Sequence, residues 1–255
     1  NLLSEFEGSF SFSYHKFPEN LGGIPLAKQW KRCLAHTNNK EWTMILGDDD
    51  VLDKNVVQDF YQYLNEINSL NIDVVRFSTV VIDESNNKTS NLYKHPIIEN
   101  SVDSLMRKIE NRTRSSLSEY IFRRDIIEKV KFKDFPLAWN SDLLAVLEFS
   151  EWKNIFTINE AILFFRLSNF NITGKNDDGV IKNNSTVQFY YYLLGKQSDK
   201  LSKDVINVLL NRLEKTILDN KKNAIYWLKL FYLYFKFFQV NRFLYLGFKI
   251  KKSIK

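Results

Sequence analysis

Trp42-Thr43-Met44-Ile45-Leu46-Gly47-Asp48-Asp49-Asp50 is the stretch on which the reading of this chain turns. A short, nearly unbroken apolar run stops at a glycine and gives way to three consecutive carboxylates. A run of this kind, apolar on successive residues rather than alternate ones, reads as a buried strand of a parallel sheet. The carboxyl end of such a strand is where open α/β sheets bind their ligands. Adjacent carboxylates repel one another and are comfortable only when solvated or neutralised by a cation. A hard divalent ion such as Mg²⁺ or Mn²⁺ is held by one or two carboxylates and completed by phosphate oxygens. The plainer reading of the same residues is an acidic turn that caps the following helix.

Working outward, Pro25 opens a helical pattern in which Leu26, Trp30, Cys33 and Leu34 share a face, expected to end near Asn38 and Asn39. On the other side, residues 55–67 are amphipathic at helical spacing, and the β-branched run over 73–82 reads as a second strand. A polar loop over 83–100 leads to a short helix near 101–111, a strand over 117–123, a helix over 141–152 and one or two strands within 155–166. Helix and strand in alternation are the grammar of an α/β layer. Beyond about residue 184 only helical patterns remain, so the chain divides into an α/β domain over 1–185 and a C-terminal helical region over 186–255.

Composition narrows the function classes. Of 255 residues, 44% are apolar and 15% aromatic, enough to fill a core, while 8 Gly and 4 Pro argue against disorder and flexible linkers. One cysteine, Cys33, excludes an internal disulfide framework and a multi-cysteine zinc site, and His15, His36 and His95 are too scattered to form a His-rich metal cluster. The net charge of +6 resides in the tail: residues 221–255 contain nine Lys or Arg and no acid, leaving −3 on the other 220 residues. Groove binding of nucleic acid is therefore not expected.

The aromatic run from Ile225 to Phe248 carries Lys229, Lys236 and Arg242. Each would cost about 2.5–3.5 kcal/mol at a bilayer centre, which disfavours a spanning helix. An interfacial helix on an anionic membrane is one reading, and an ordinary packed helix with a solvated basic end is the other. No secretory signal pattern opens the sequence, which starts at Asn1 without a Met, so a fragment in a cytoplasmic setting is expected.

Two further residues could carry chemistry. Asp142 follows Ser141 at the start of an apolar helix, where Ser141 could be the N-cap and Asp142 a first-turn acid favoured by the helix dipole. Arg166 leaves the apolar strand in FFRLSNFNIT (164–173), and an arginine there is by itself an ordinary surface residue.

In order, NLGGIPLAKQWKRCLAHTNNKEWTMILGDDDVLDKNVV (20–57), SLSEYIFRRDIIEKVKFKDFPLAWNSDLLAVLE (116–148) and FFRLSNFNIT (164–173) resemble the inverting nucleotide-sugar glycosyltransferases of the GT-A fold, the family that includes bacterial capsule and O-antigen sugar transferases. The resemblance implies a Rossmann-like mixed sheet with helices on both faces, with residues 1–185 as the catalytic domain. It implies a DxD motif framed by Asp48 and Asp50, with Asp50 as metal ligand beside Asp48, for Mn²⁺ or Mg²⁺. Asp48 or Asp49 would contact ribose or donor sugar, Arg166 would assist the departing diphosphate, and Asp142 would be the general base. The partners implied are a nucleotide-sugar donor and a glycan or lipid-linked acceptor, with an anionic membrane surface under the tail and the inner face of the plasma membrane as the setting.

There are two departures. Many relatives carry Glu-Asp at the base, where this chain has Ser141-Asp142. The family's first strand and early base-reading Asp have no counterpart here, so the chain is expected to begin part-way through the nucleotide-binding half. The alternative function is a non-catalytic, membrane-peripheral binding or scaffold protein that keeps the acidic turn and the tail.

Overall fold

The computed structural model describes residues 11–21, 26–37, 40–169, 171–175, 177–221 and 223–245. Pro25, Asn38 and Asn39, which bear on the limits of the first helix, lie outside the described residues.

The protein is an α/β structure built on one six-stranded mixed sheet. Its strands are β1 (Trp42–Met44), β2 (Val51–Leu52), β3 (Val74–Ile82), β4 (Ile98–Asn100), β5 (Tyr120–Arg123) and β6 (Asn154–Arg166). They lie in the order β1-β5-β3-β6-β2, with β4 pairing beside β2 along the outer edge of β6. The helices are α1 (Leu26–Leu34), α2 (Val56–Ser69), α3 (Ser101–Ile109), α4 (Arg124–Val130), α5 (Ser141–Phe149), α6 (Gly179–Lys196), α7 (Lys203–Leu218) and α8 (Ala224–Lys236).

The alternation of β3 explains the layering. Val75 and Phe77 pack with Phe156 and Ile158 under Val56, Phe60 and Ile67 of α2, spaced to share one helical face. Val74 on the opposite face packs with Phe122 and Ile155 against Ile126 and Ile127 of α4 and Ala145, Val146 and Phe149 of α5. Helices therefore cover both faces. A third core joins α6, α7 and α8 to α3 and α5 through Leu193, Leu209, Leu230, Leu105 and Leu144. The boundary expected at 185 and 186 falls inside α6.

Parallel pairing was expected at residues 42–46, and this is corrected. β1 is a three-residue edge strand that pairs antiparallel with β5, Thr43 opposite Phe122. Its apolar character reflects helices packed on both faces: Trp42 and Met44 join the α2 layer, while Ile45 joins the layer of α4 and α5. The parallel pair of the sheet is β3 with β6. α4 was not foreseen; it is a short segment that begins directly where β5 ends.

β6 is a single strand interrupted by a bulge, since Phe77 faces Ile158 but Ser78 faces Ile162. The bulge is stapled in place. Ser78 Oγ donates to the carbonyls of Asn159 (2.9 Å) and Ala161 (3.2 Å), and the Asn159 amide both accepts from the His95 N–H (3.0 Å) and donates to its carbonyl (2.9 Å). Next to it, Arg76 is completely buried on β3 and donates to Ser104 (2.7 Å), Glu99 (2.8 Å) and Thr157 (2.9 Å). Glu99 also receives Arg107 through both carboxylate oxygens, at 2.6 and 2.9 Å. His95 faces Arg107 (2.9 Å), and burial together with Arg76 and Arg107 pushes its pKa down to about 2.

Candidate functional site

The acidic turn lies between β1 and β2 and is held from three directions. The Gly47 N–H donates to Ser118 Oγ (3.0 Å), and the Asp50 N–H closes the turn onto the Gly47 carbonyl (3.3 Å). Asp50 Oδ1 accepts from the Arg166 N–H (3.0 Å), and Asp49 Oδ2 accepts from the Asn171 side chain (3.2 Å). Asp48 is exposed at the tip of the turn.

Gly47 leaves a specific space. A Cβ there would stand 3.1 Å from Asp50 Oδ2, 3.2 Å from Asp49 Oδ1 and 3.4 Å from Ser118 Oγ. Two acidic oxygens from different residues and a hydroxyl thus face one small volume. Asp50 feels the crowding: burial raises its pKa, the Asp49 charge adds to the rise, and Ser118, Arg166 and Arg114 oppose it. Among the described residues, no group of three or more His, Cys, Asp and Glu forms a metal cage.

Arg166 sits beside this turn and is largely engaged by the protein. Nε donates to the Asp49 carbonyl (2.9 Å), Nη1 to the Asp83 carbonyl (2.7 Å) and Nη2 to the Asn86 side chain (2.7 Å). The side chain therefore ties the acidic turn to the loop after β3. Asn171 assists by donating to the Arg166 carbonyl (2.6 Å), while its own amide oxygen accepts from the Gly174 N–H (2.9 Å).

Asp142 lines a neighbouring cleft of about 200 Å³ together with Lys108, Ser115, Ser116, Trp139 and Thr173. It is a first-turn residue of α5, but the N-cap is Asn140 rather than Ser141, and Ser141 Oγ instead accepts from the Phe135 N–H (3.3 Å). The loop that delivers it is strained, because Leu137, Ala138 and Asn140 all have positive φ (58°, 50° and 68°). Ser185 clamps that loop by donating to the Trp139 carbonyl at 2.5 Å. Asp142 keeps part of its surface on the cleft while protein crowds the carboxyl. Burial raises its pKa, and the N–H of Leu143, Lys108 and Arg114 oppose the rise.

Arg114 links the two halves. It acts electrostatically on both Asp50 and Asp142, stacks over Phe165 at 3.9 Å, and pairs with the fully buried Glu119 (3.1 Å). Ser116 and Leu117 line the cleft, and the next residue, Ser118, bonds the acidic turn; Ile172 and Thr173 line it, and the preceding Asn171 bonds Asp49. The structure thus brings Asp49, Asp50 and Arg166 into direct contact and sets Asp142 in the adjoining cleft.

Sequence reasoning missed Lys108, Arg114, Ser118 and Glu119. Only Glu119 left a readable signal, since Ser116-x-x-Glu119 is a capping box and forms one. The sequence matches no protein-family model and no curated protein.

Proposed function

We propose that the chain is an inverting, nucleotide-sugar-dependent glycosyltransferase of the GT-A type, acting on a glycan or lipid-linked acceptor. One observation carries the reading: the paired carboxylate oxygens over Gly47 adjoin a cleft that holds a crowded, base-like Asp142, and Arg114 acts on both. A mixed sheet with helices on both faces agrees with it.

In this reading Asp142 accepts the proton of an acceptor hydroxyl as that oxygen bonds to the anomeric carbon of the donor. The bond from that carbon to the diphosphate oxygen breaks on the opposite face, so the configuration inverts and the nucleoside diphosphate leaves with the bonding pair. Burial suits Asp142 to the task, because a carboxylate with a raised pKa is a stronger base. Lys108 and the helix N–H groups favour its ionised form against that burial.

The residues fit a divalent cation. Two carboxylate oxygens and a hydroxyl facing one space make a partial set of hard donors, which substrate phosphates complete. Asp50 and Asp49 would hold it, with Asp48 at the tip. When bound, Mg²⁺ or Mn²⁺ supplies positive charge against the departing diphosphate. Arg166 acts as a positioning residue that ties the acidic turn to the loop after β3 beside the departing diphosphate. The reading carries a cytoplasmic setting with it.

The test is release of nucleoside diphosphate from a panel of nucleotide sugars by the full chain with Mn²⁺. Metal-dependent turnover that is lost in Asp142→Asn supports transfer. Donor binding with no release under any condition supports the non-catalytic binding protein instead.

A further inference from the structure

Helix α8 is built against the usual polarity of a surface helix. Its inner face, Tyr226, Leu230, Leu233 and Tyr234, is buried against α6 and α7. Among the described residues, the cations of the helix and of the stretch after it turn inward as well. Lys236 Nζ donates to the carbonyls of Leu194 (3.0 Å) and Gly195 (2.9 Å) and to Ser198 Oγ (3.0 Å), closing the end of α6. Lys229 lies 5.0 Å above the Tyr191 ring, and Arg242 donates to Asn207 and Asn211 of α7.

The side chains left outside are apolar. Leu228, Tyr232 and Phe235 are 66%, 53% and 68% exposed, and their spacing puts them on one stripe. Phe238 is 90% exposed at the turn just after the helix, on a left-handed backbone (φ 54°), a place that favours glycine. Residues 240–245 are helical again and add exposed Leu244 and Tyr245, with Phe243 packed back on Phe231 at 5.1 Å. Single exposed apolar residues are ordinary, but a contiguous face of them marks an interaction site.

We infer that this face docks on an anionic lipid membrane. The charge of this segment in the sequence selects that partner: after Asp219 it contains nine Lys or Arg and no Asp or Glu, of which Lys221 is exposed, Lys229, Lys236 and Arg242 lie against the protein, and the other five fall outside the described residues. A second copy of the same face would set like charges together, whereas a lipid surface supplies both an apolar interior and negative headgroups. Aromatic side chains fit the headgroup boundary. Among the described residues no helix is long and apolar enough to cross a membrane, so α8 lies along the surface.

The experiment floats the full chain with vesicles of phosphatidylcholine alone and of phosphatidylcholine with phosphatidylglycerol, without donor or metal. Anionic vesicles should bind the protein, and binding should fall as salt shortens the Debye length. The triple variant Leu228→Ser/Phe235→Ser/Phe238→Ser should lower partitioning about a hundredfold. Its circular dichroism should be unchanged, because all three side chains are exposed. Equal binding to both vesicle types, no binding to either, or a wild-type dimer that the triple variant dissociates would each overturn the inference. None of these outcomes bears on glycosyl transfer.

Discussion

Raising the pH from 5 to 8 should strip stability from this protein at one buried carboxyl, Glu119. Two forces compete there. Arg114 pairs with Glu119 Oε2 at 3.1 Å and the Ser116 N–H donates to the same oxygen, which favours ionisation. Complete burial, with Oε1 left without a partner, opposes it. Burial wins and lifts the pKa from 4.5 to about 7. That displacement is worth about 3 kcal/mol between the two protonation states. The folded state holds the proton more tightly than the unfolded chain, so the stabilisation is complete below pH 4.5 and is lost as pH rises through about 7.

In a chain of this size about 3 kcal/mol corresponds to a melting-temperature change of about 6–12 °C. His95 acts in the opposite sense. Its folded pKa of about 2 contributes stability above 6.5 that is lost as pH falls. The informative quantity is therefore the difference between wild type and Glu119→Gln, which reproduces the neutral side chain. Calorimetric melts should coincide at pH 4, below the unfolded pKa, and the variant should be more stable at pH 8 by about 3 kcal/mol. A variant destabilised equally at every pH would show that the ion pair dominates and would refute the reasoning, since removing one partner of a buried pair costs about 3–5 kcal/mol.

Three other outcomes follow from the geometry. Asp142→Asn should retain donor binding while transfer falls about 10²- to 10⁴-fold, measured as turnover beside calorimetric donor titration. Gly47→Ala pushes a methyl group within 3.1 Å of Asp50 and 3.2 Å of Asp49. Mn²⁺ affinity measured with nucleoside diphosphate should fall about tenfold, with the fold intact by circular dichroism. Arg76→Met removes the partner of Ser104, Thr157 and one Glu99 oxygen in the buried network, and urea unfolding should show a loss of about 3–5 kcal/mol.

The alternation of helix and strand was legible because β3 is a β-branched run and α2 is amphipathic at helical spacing. Pairing partners were not. β1 looked like a parallel strand because its side chains are apolar on both faces, yet an edge strand sandwiched between helices has the same appearance. α4 escaped because a helix of seven residues starting at Arg124 has too little periodic signal. Within the site, Asp49, Asp50 and Arg166 were visible as residues, but the engagement of Arg166 with the Asp83 carbonyl and Asn86 depends on a contact some 80 positions away. Arg114 and Lys108 sit in segments whose local pattern is polar loop and amphipathic helix, and only tertiary packing turns them toward Asp142. The inward Lys236 could not be read either, because its acceptors are the carbonyls that end another helix.

β6 settles when the acidic turn can exist during synthesis. β1, β5 and β3 pair with one another and are all present once residue 123 has emerged. Among the described residues β2 and β4 pair with no strand but β6, and Arg166 at its last position clamps Asp49 and Asp50. The parallel union of β3 with β6 spans some 80 residues of chain, so its loop-closure cost is met late. A nascent chain of which only residues up to about 150 have emerged would carry an antiparallel three-strand unit with the β6-side edge of β3 bare and an acidic turn held by Ser118 but lacking Arg166 and Asn171. The part of the protein with the most chemistry is thus the last part of the sheet to acquire a shape, and a nascent chain that has emerged only as far as α5 would expose an aggregation-prone edge at that moment.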